Sequence, residues 1–134
     1  MANAGGGATT VNVSCSGNVT TTLSPEPTNY TTSFSAHNIH LQWVDAPGPV
    51  VPDAYLIRMS SVGFSSITTP TDHVAYANSA TDQNVAFGIQ SAWFKNLSAN
   101  TTYYFKMFSY SGSGTGIDYK TDGSVPQLQQ VTGQ

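Results

Sequence analysis

Residues 96 to 108 constrain the fold of this chain more than any other stretch, because they join a polar turn to an alternating β-strand. Within them, Leu97 lies six residues before Tyr103. In a β-sandwich corner with this spacing, the Leu ends one strand in the core and the chain crosses to the other sheet. The Tyr then enters the core, and its hydroxyl bonds to the crossing backbone. We therefore predict that Leu97 and Tyr103 are structural core residues, in a pattern that specifies a fold and carries no chemistry.

Apolar and polar residues alternate through the rest of the chain, and no segment has a helical period. The predicted core faces are Ile39, Leu41 and Trp43, then Tyr55, Ile57 and Met59, then Ala92, Phe94 and Leu97, and finally Tyr103, Phe105 and Met107. A proline-rich loop separates the first two sets, and further strands are predicted at 29–36 and 128–132. Short strands with turn signals between them predict an all-β, two-sheet sandwich, with Trp43 and Tyr55 in its core.

The composition sets limits on partners and location. A chain of 134 residues is the size of one domain. Its formal net charge is -3 and its four cations are dispersed, which argues against a nucleic-acid partner. No apolar run is long enough to insert into a membrane, and the first residues lack the features of a secretion signal. Because the chain is rich in Ser, Thr and Asn, we expect an extracellular or cell-surface protein whose signal is absent from this sequence.

Residues that could support catalysis or metal binding are sparse. His37 and His40 are three apart on an extended segment, so they face opposite sides and cannot share a metal. Glu26 is the only glutamate, and there is no Gly-x-Ser-x-Gly nucleophile motif. The aspartates Asp45, Asp53, Asp118 and Asp122 are interpreted as turn caps. We expect no enzyme activity, no metal and no cofactor.

Aromatic residues provide the candidate binding surface. The alternation that places Phe94 in the core turns Trp93 outward, and the strand of Tyr103 has its own outward row. The candidate binding residues are Trp93, Tyr104, Phe108 and Tyr110. If they are uncovered, they form a contact face for sugar rings, another domain or another copy of the chain. Alternatively, residues 60–90 or the N-terminal extension cover them.

Several motifs together resemble the fibronectin type III domain, an immunoglobulin-like β-sandwich. The strand with Trp43, the strand 55–57, and the Leu97 to Tyr103 spacing carry the general resemblance. The amino-acid sequences of residues 43–46, 52–57 and 117–121 resemble those of a fibronectin type III variant found in secreted multidomain bacterial proteins. The resemblance implies a domain at 24–134 without catalytic residues. The longer segment 60–90 is predicted to fold back over a sheet edge.

Residues 1–23 are not needed for that fold and form a candidate N-terminal arm. Val11, Val13 and Cys15 alternate with polar residues there, which predicts either a hairpin or an added strand. Cys15 is the only cysteine, so it is either a small buried side chain or the partner in an intermolecular disulfide.

Three functions remain open from the sequence. The first is a noncatalytic extracellular module that acts as a structural, spacer or adhesive unit. The second is a self-assembling fibre or filament subunit, in which the arm adds as a strand to a neighbouring copy. The third is a carbohydrate-binding module that uses the outward aromatics. The expected partners are therefore other protein domains, copies of the chain itself, or carbohydrate.

Overall fold

A computed structural model describes residues 27–123 and 125–134, with the backbone alone for residues 28–31. The strands in this part of the chain are β1 (Thr28–Phe34), β2 (Ile39–Val44), β3 (Ala54–Ser60), β4 (Asp82–Ala86), β5 (Ser91–Phe94), β6 (Thr102–Ser111), β7 (Asp118–Tyr119) and β8 (Gln127–Val131). Short 3₁₀ turns lie at Phe64–Ser66 and Gly114–Gly116. No helix in these residues is long and apolar enough to cross a membrane.

The strands form two antiparallel sheets. One sheet has the order β1-β2-β5, and the other has the order β4-β3-β6, with β7 and β8 both on the far side of β6. β7 pairs with the end of β6, where Tyr110 faces Tyr119, and β8 pairs with its beginning, where Tyr103 faces Gln130. This arrangement confirms the predicted all-β two-sheet sandwich.

The main core lies between the two sheets. In β2, Ile39, Leu41 and Trp43 are buried, while Gln42 and Val44 point to solvent. The period of two follows from the pleat, which turns successive side chains to opposite faces. The same cluster receives Tyr55, Ile57 and Met59, then Ala92, Phe94 and Leu97, then Tyr103, Phe105 and Met107, and also Val85. Every core face predicted from the alternation is buried in this cluster.

The segment 60–90 folds back over a sheet edge as predicted. Its strand β4 pairs with β3 and places Val85 in the core. The outer edge of β4 is occupied by its own preceding loop: the Ser79 N–H donates to the Asp82 carbonyl at 2.8 Å, and the Asn84 N–H donates to Asn78 Oδ1 at 2.8 Å. Bonds of this kind block the pairing of another chain with an edge strand.

The loop from β6 to β7 requires glycine. Gly112 has a φ of 81°, which is in the left-handed region, and a Cβ there would collide with the carbonyl oxygen of Gly116. The tight turn between β6 and β7 therefore depends on this glycine.

The predicted arm, residues 1–23, lies outside the described residues, and so does its boundary with the domain at residue 24. The roles proposed for Val11, Val13 and Cys15 therefore stay predictions.

Candidate binding surface

The corner predicted from residues 96–108 is present. Leu97 and Tyr103 are buried, and the Tyr103 hydroxyl accepts a hydrogen bond from the Ser98 N–H at 2.9 Å. The Leu97 N–H donates to the His37 carbonyl at 2.9 Å, which ties the crossing backbone to the turn between β1 and β2. These residues therefore hold the two sheets together and are not available to a ligand.

Trp43 and Tyr55 also serve the core, where their rings meet edge to face at 5.9 Å. The Tyr55 hydroxyl donates to Asp45 Oδ1 at 2.9 Å and accepts from the Ala46 N–H at 3.0 Å. Burial of the ring is the main reason that the pKa of Tyr55 is raised. The neutral hydroxyl thus fixes the start of the loop that follows β2.

Two aspartates tie the loops at this end of the sandwich. Asp45 Oδ2 accepts from the Gly88 N–H at 2.9 Å, and Asp53 Oδ2 accepts from the Gly112 N–H at 2.8 Å. Both carboxylates therefore bond to turn backbone, which is the role that the sequence suggested for them.

Two histidines bond to backbone as well. His37 Nδ1 lies 2.8 Å from the Leu97 carbonyl, and His73 Nδ1 lies 2.9 Å from the Thr115 carbonyl. Because a carbonyl only accepts, each Nδ1 is the donor. Within residues 27–123 and 125–134, no three His, Cys, Asp or Glu side chains are grouped to hold a metal ion.

Trp93 is the candidate binding residue that the structure leaves accessible, because 48% of it is exposed on the outer face of the three-stranded sheet. It faces His40 across the β2–β5 pair, and the two rings stack in parallel with their centres 4.1 Å apart. Lys95 Nζ lies 5.8 Å from the centre of the Trp93 ring. His40 thus covers one face of the indole and Lys95 also lies over the ring, while about half of the Trp93 surface stays accessible to a partner.

The prediction of an exposed aromatic row is wrong for Phe108, which is only 2% exposed. Phe108 does point away from the main core, but a second hydrophobic cluster covers it. That cluster consists of Leu56, Phe108, Ile117 and Tyr119, with Tyr76, Tyr110 and Val125 packed against it. Phe108 therefore cannot contact a ligand in this conformation.

The other two members of the row are half-buried. The ring of Tyr104 meets Phe64 edge to face at 5.0 Å. The Tyr110 hydroxyl donates to Asn84 Oδ1 at 3.0 Å, and its ring packs on Tyr119 at 5.4 Å. Phe64 and Asn84 belong to residues 60–90, so the alternative that this segment covers the row applies to these two tyrosines.

Tyrosine hydroxyls and Arg58 hold in place the residues that cover Phe108, which are called the cover below. The Tyr119 hydroxyl donates to the Val74 carbonyl at 2.9 Å, and the Arg58 guanidinium lies 4.3 Å from the centre of the Tyr76 ring. Arg58 Nε also contacts Asp82 Oδ1 at 3.1 Å. Burial, followed by the neighbouring Tyr110 and Tyr76, raises the pKa of Tyr119 to about 12. Hydrogen bonding to Thr71 is the main reason that the pKa of Tyr76 is lowered.

The second cluster was not predicted, although the sequence contains two signals for it. Residues 54–57, Ala-Tyr-Leu-Ile, form an unbroken apolar run and are all buried. An unbroken run is typical of a strand that is covered on both faces. Ile117 and Tyr119 also alternate with Asp118 directly after the glycine-rich residues 112–116, which is the spacing of a strand with one buried face.

Comparison with known proteins places the fold. No protein-family model and no curated protein matches the chain. Solved structures do match: a β-sandwich protein redesigned by computation aligns over 84% of this chain and 97% of its own, with a TM-score of 0.57 and 18% identity. The FN1–FN3 domains of chicken CNTN1 align over 83% of this chain and 33% of theirs, with a TM-score of 0.58 and 16% identity.

A third solved structure, the fn3 domain of the human collagen alpha-1(XX) chain, covers 87% of this chain and 92% of its own. Its TM-score is 0.53 and its identity is 12%. At such identities the likeness concerns the fold alone. In fold, the chain therefore resembles fibronectin type III domains.

Proposed function

We propose that the chain is a noncatalytic β-sandwich module that acts as a structural, spacer or adhesive unit of a larger secreted or cell-surface protein. The observation that carries this proposal is that side chains which could support catalysis make hydrogen bonds within the protein instead. Asp45, Asp53, His37 and His73 all bond to backbone or to a core tyrosine, so they stabilise loops. The low charged fraction of 8% supports an extracellular setting, and so does the resemblance of residues 43–46, 52–57 and 117–121 to the fibronectin type III variant of secreted bacterial proteins.

The proposal predicts a monomer with one cooperative unfolding transition, with or without the arm. Light scattering and electron microscopy of the full chain, beside a chain that starts at Ser24, test it. If only the full chain forms oligomers or fibres, the module function is wrong and assembly through the arm replaces it.

A specific feature of β8 favours that second function. The Pro126 carbonyl accepts from Met107, and the Thr132 N–H donates to Thr101, so even-numbered residues of β8 bond to β6. In an antiparallel pair, the alternate residues then direct their backbone groups away from the sheet. The outward backbone groups of Gln127 and Gln129 in the uncharged strand Gln127–Val131 are therefore a template for a donor strand, whereas the Val131 carbonyl already accepts from Gln130 Nε2. Val11, Val13 and Cys15 are the candidate donor residues.

Substitution at this edge tests assembly separately from the arm. Gln129→Pro removes an outward N–H and leaves the bonds to β6 in place, so it should abolish oligomers while the monomer keeps its fold. Leu128→Pro is the opposite control, because position 128 bonds to β6 and its substitution should destabilise the domain. Oligomers that persist in Gln129→Pro would exclude β8 as the acceptor edge.

The accessible Trp93 favours carbohydrate binding as a third function. Aromatic rings carry much of the binding energy at protein surfaces, and a half-exposed indole is a suitable platform for a sugar ring. Glycan binding should be lost in Trp93→Ala and kept in Phe34→Ala, which removes another exposed aromatic side chain, on β1, the strand at the other edge of the same sheet. Equal binding by both variants would contradict a role for Trp93.

A further inference from the structure

The end of the sandwich where β1 begins has a concentration of exposed apolar side chains. The set, called the apolar pole below, is Val44, Val50, Val51, Phe87 and Ile89, which are 37% to 61% exposed. Half of the ten exposed large hydrophobic residues in the described part of the chain belong to it. Single exposed apolar residues are ordinary, whereas several on adjoining loops indicate a contact surface.

Hydrogen bonds hold the loops of the apolar pole together. Asp45 bonds to the backbone of Gly88 through Oδ2, and its own N–H donates to Gln90 Oε1 at 3.1 Å. The Gln90 carbonyl accepts from the Trp43 N–H at 3.3 Å, and the Phe87 N–H donates to the Asp53 carbonyl at 3.0 Å. The loop after β2 and the loop after β4 therefore form one ordered surface.

The apolar pole also lacks charged side chains of its own. Residues 46–52 read Ala-Pro-Gly-Pro-Val-Val-Pro, and residues 87–90 read Phe-Gly-Ile-Gln. The flanking aspartates, Asp45 and Asp53, have an oxygen of each carboxylate bonded to a backbone N–H. An uncharged partner can therefore cover this surface without removing a free charge from water.

The N-terminal arm meets these requirements and is attached beside the apolar pole. Thr28 is the cross-strand partner of Val44. Leu23 precedes Thr28 by five residues, so an extended chain holds it within about 18 Å. Residues 1–25 contain no Asp, Glu, Lys or Arg, and residues 9–23 include the apolar Val11, Val13, Val19 and Leu23.

We infer that residues 9–23 cover the apolar pole of the same chain. A short tether gives the arm an effective concentration in the millimolar range at this surface, which favours its own pole over that of a neighbour. Burial of the apolar side chains drives the contact. The consequence is that loss of the arm uncovers a contact surface, and that a docked arm is not available to join copies.

Cys15 provides the test, because it is the only cysteine and lies in the arm. Ile89→Cys places a thiol in the apolar pole. Val62→Cys is the matched control. The apolar pole lies before the beginning of β3, whereas Val62 is 79% exposed in the loop that follows the end of β3. After mild oxidation of dilute full chain, mass spectrometry and nonreducing gels measure the disulfide within one chain. The inference predicts at least about tenfold more of it from position 89 than from position 62.

Other results overturn the inference in distinct ways. Equal yields from the two positions, or no disulfide from either, mean that the arm does not rest on the apolar pole, and a monomeric chain then leaves the module function intact. Disulfides mainly between chains support assembly instead. Circular dichroism of both variants checks that the exposed substitutions keep the fold. As a second measurement, a chain starting at Ser24 should bind more of the apolar dye ANS than the full chain, and equal binding contradicts the inference.

Discussion

Replacing Tyr55 by Phe should destabilise the domain more than the loss of any other single tyrosine hydroxyl. Tyr55 is fully buried, and its hydroxyl makes one bond to the Asp45 carboxylate and one to the Ala46 N–H. The substitution keeps the ring that packs on Trp43, so the change in stability reports the two hydrogen bonds alone.

The magnitude follows from the surroundings of the two partners. Ala46 is buried, so its N–H is left without a partner, and an unsatisfied buried donor costs about 1–3 kcal/mol. The bond to a carboxylate contributes about 1.5–3 kcal/mol, with the lower value apt here because Asp45 is partly exposed and can be hydrated. The free energy of unfolding should therefore fall by roughly 2.5–4.5 kcal/mol.

Urea unfolding followed by circular dichroism measures this change as a shift in midpoint with the slope unchanged. Tyr103→Phe, which loses one neutral bond to Ser98, should cost about 1 kcal/mol. Tyr104→Phe is the control, and it should stay within about 0.5 kcal/mol because its half-buried ring keeps the contact with Phe64 when the hydroxyl is removed. If Tyr55→Phe costs no more than Tyr104→Phe, the Asp45 and Ala46 bonds do not anchor the loop and the reasoning is wrong.

Three further predictions concern the second cluster. Phe108→Ala should cost about 3–5 kcal/mol in urea unfolding, as for a core Phe, and a cost below about 0.5 kcal/mol would mean that the ring is uncovered. Because folding raises the pKa of Tyr119 to about 12, its share of stability is complete below pH 10 and is lost as the pH rises toward 12. Thermal melts of Tyr119→Phe should show a smaller decline over that range, and an unchanged decline would contradict this. Arg58→Lys loses the two-pronged contact with Asp82 and the bonds to Thr68. Urea unfolding should show a free energy of unfolding that is lower by about 1–2 kcal/mol. An unchanged free energy would show that those bonds do not hold the cover.

The two-sheet architecture was predictable because it depends on local patterns that the pleat enforces. The Leu97 to Tyr103 spacing identified the crossing between sheets, and the alternation of β2, β3, β5 and β6 identified the inward faces. Each of these signals lies within one strand or one turn, so the sequence of that stretch alone shows which side chains share the buried face.

The covered state of Phe108 was not predictable in the same way, because alternation tells which face a side chain points to and not whether another segment lies on that face. The cover comes from Tyr76 and Tyr119, which are 32 residues before and 11 residues after Phe108 in the sequence. Their approach depends on tertiary bonds such as that from the Tyr119 hydroxyl to Val74. The pairing of His40 with Trp93 likewise depends on the register of β2 and β5, which strand patterns do not specify.

The second cluster changes which surfaces can support a function. A fibronectin-type sandwich offers two outer sheet faces, its strand edges and its loop ends, and here the outer face of the five-stranded sheet is partly closed by Ile117, Tyr119 and Tyr76. The edge of β4 is closed by Ser79 and Asn78. Interactions are therefore expected at the Trp93 face, the outer edge of β8 and the apolar pole, for which the proposed occupants are a sugar, a donor strand and the arm, respectively. Because the last two would draw on the same arm, a monomeric chain with a covered pole and a filament with free poles are mutually exclusive states.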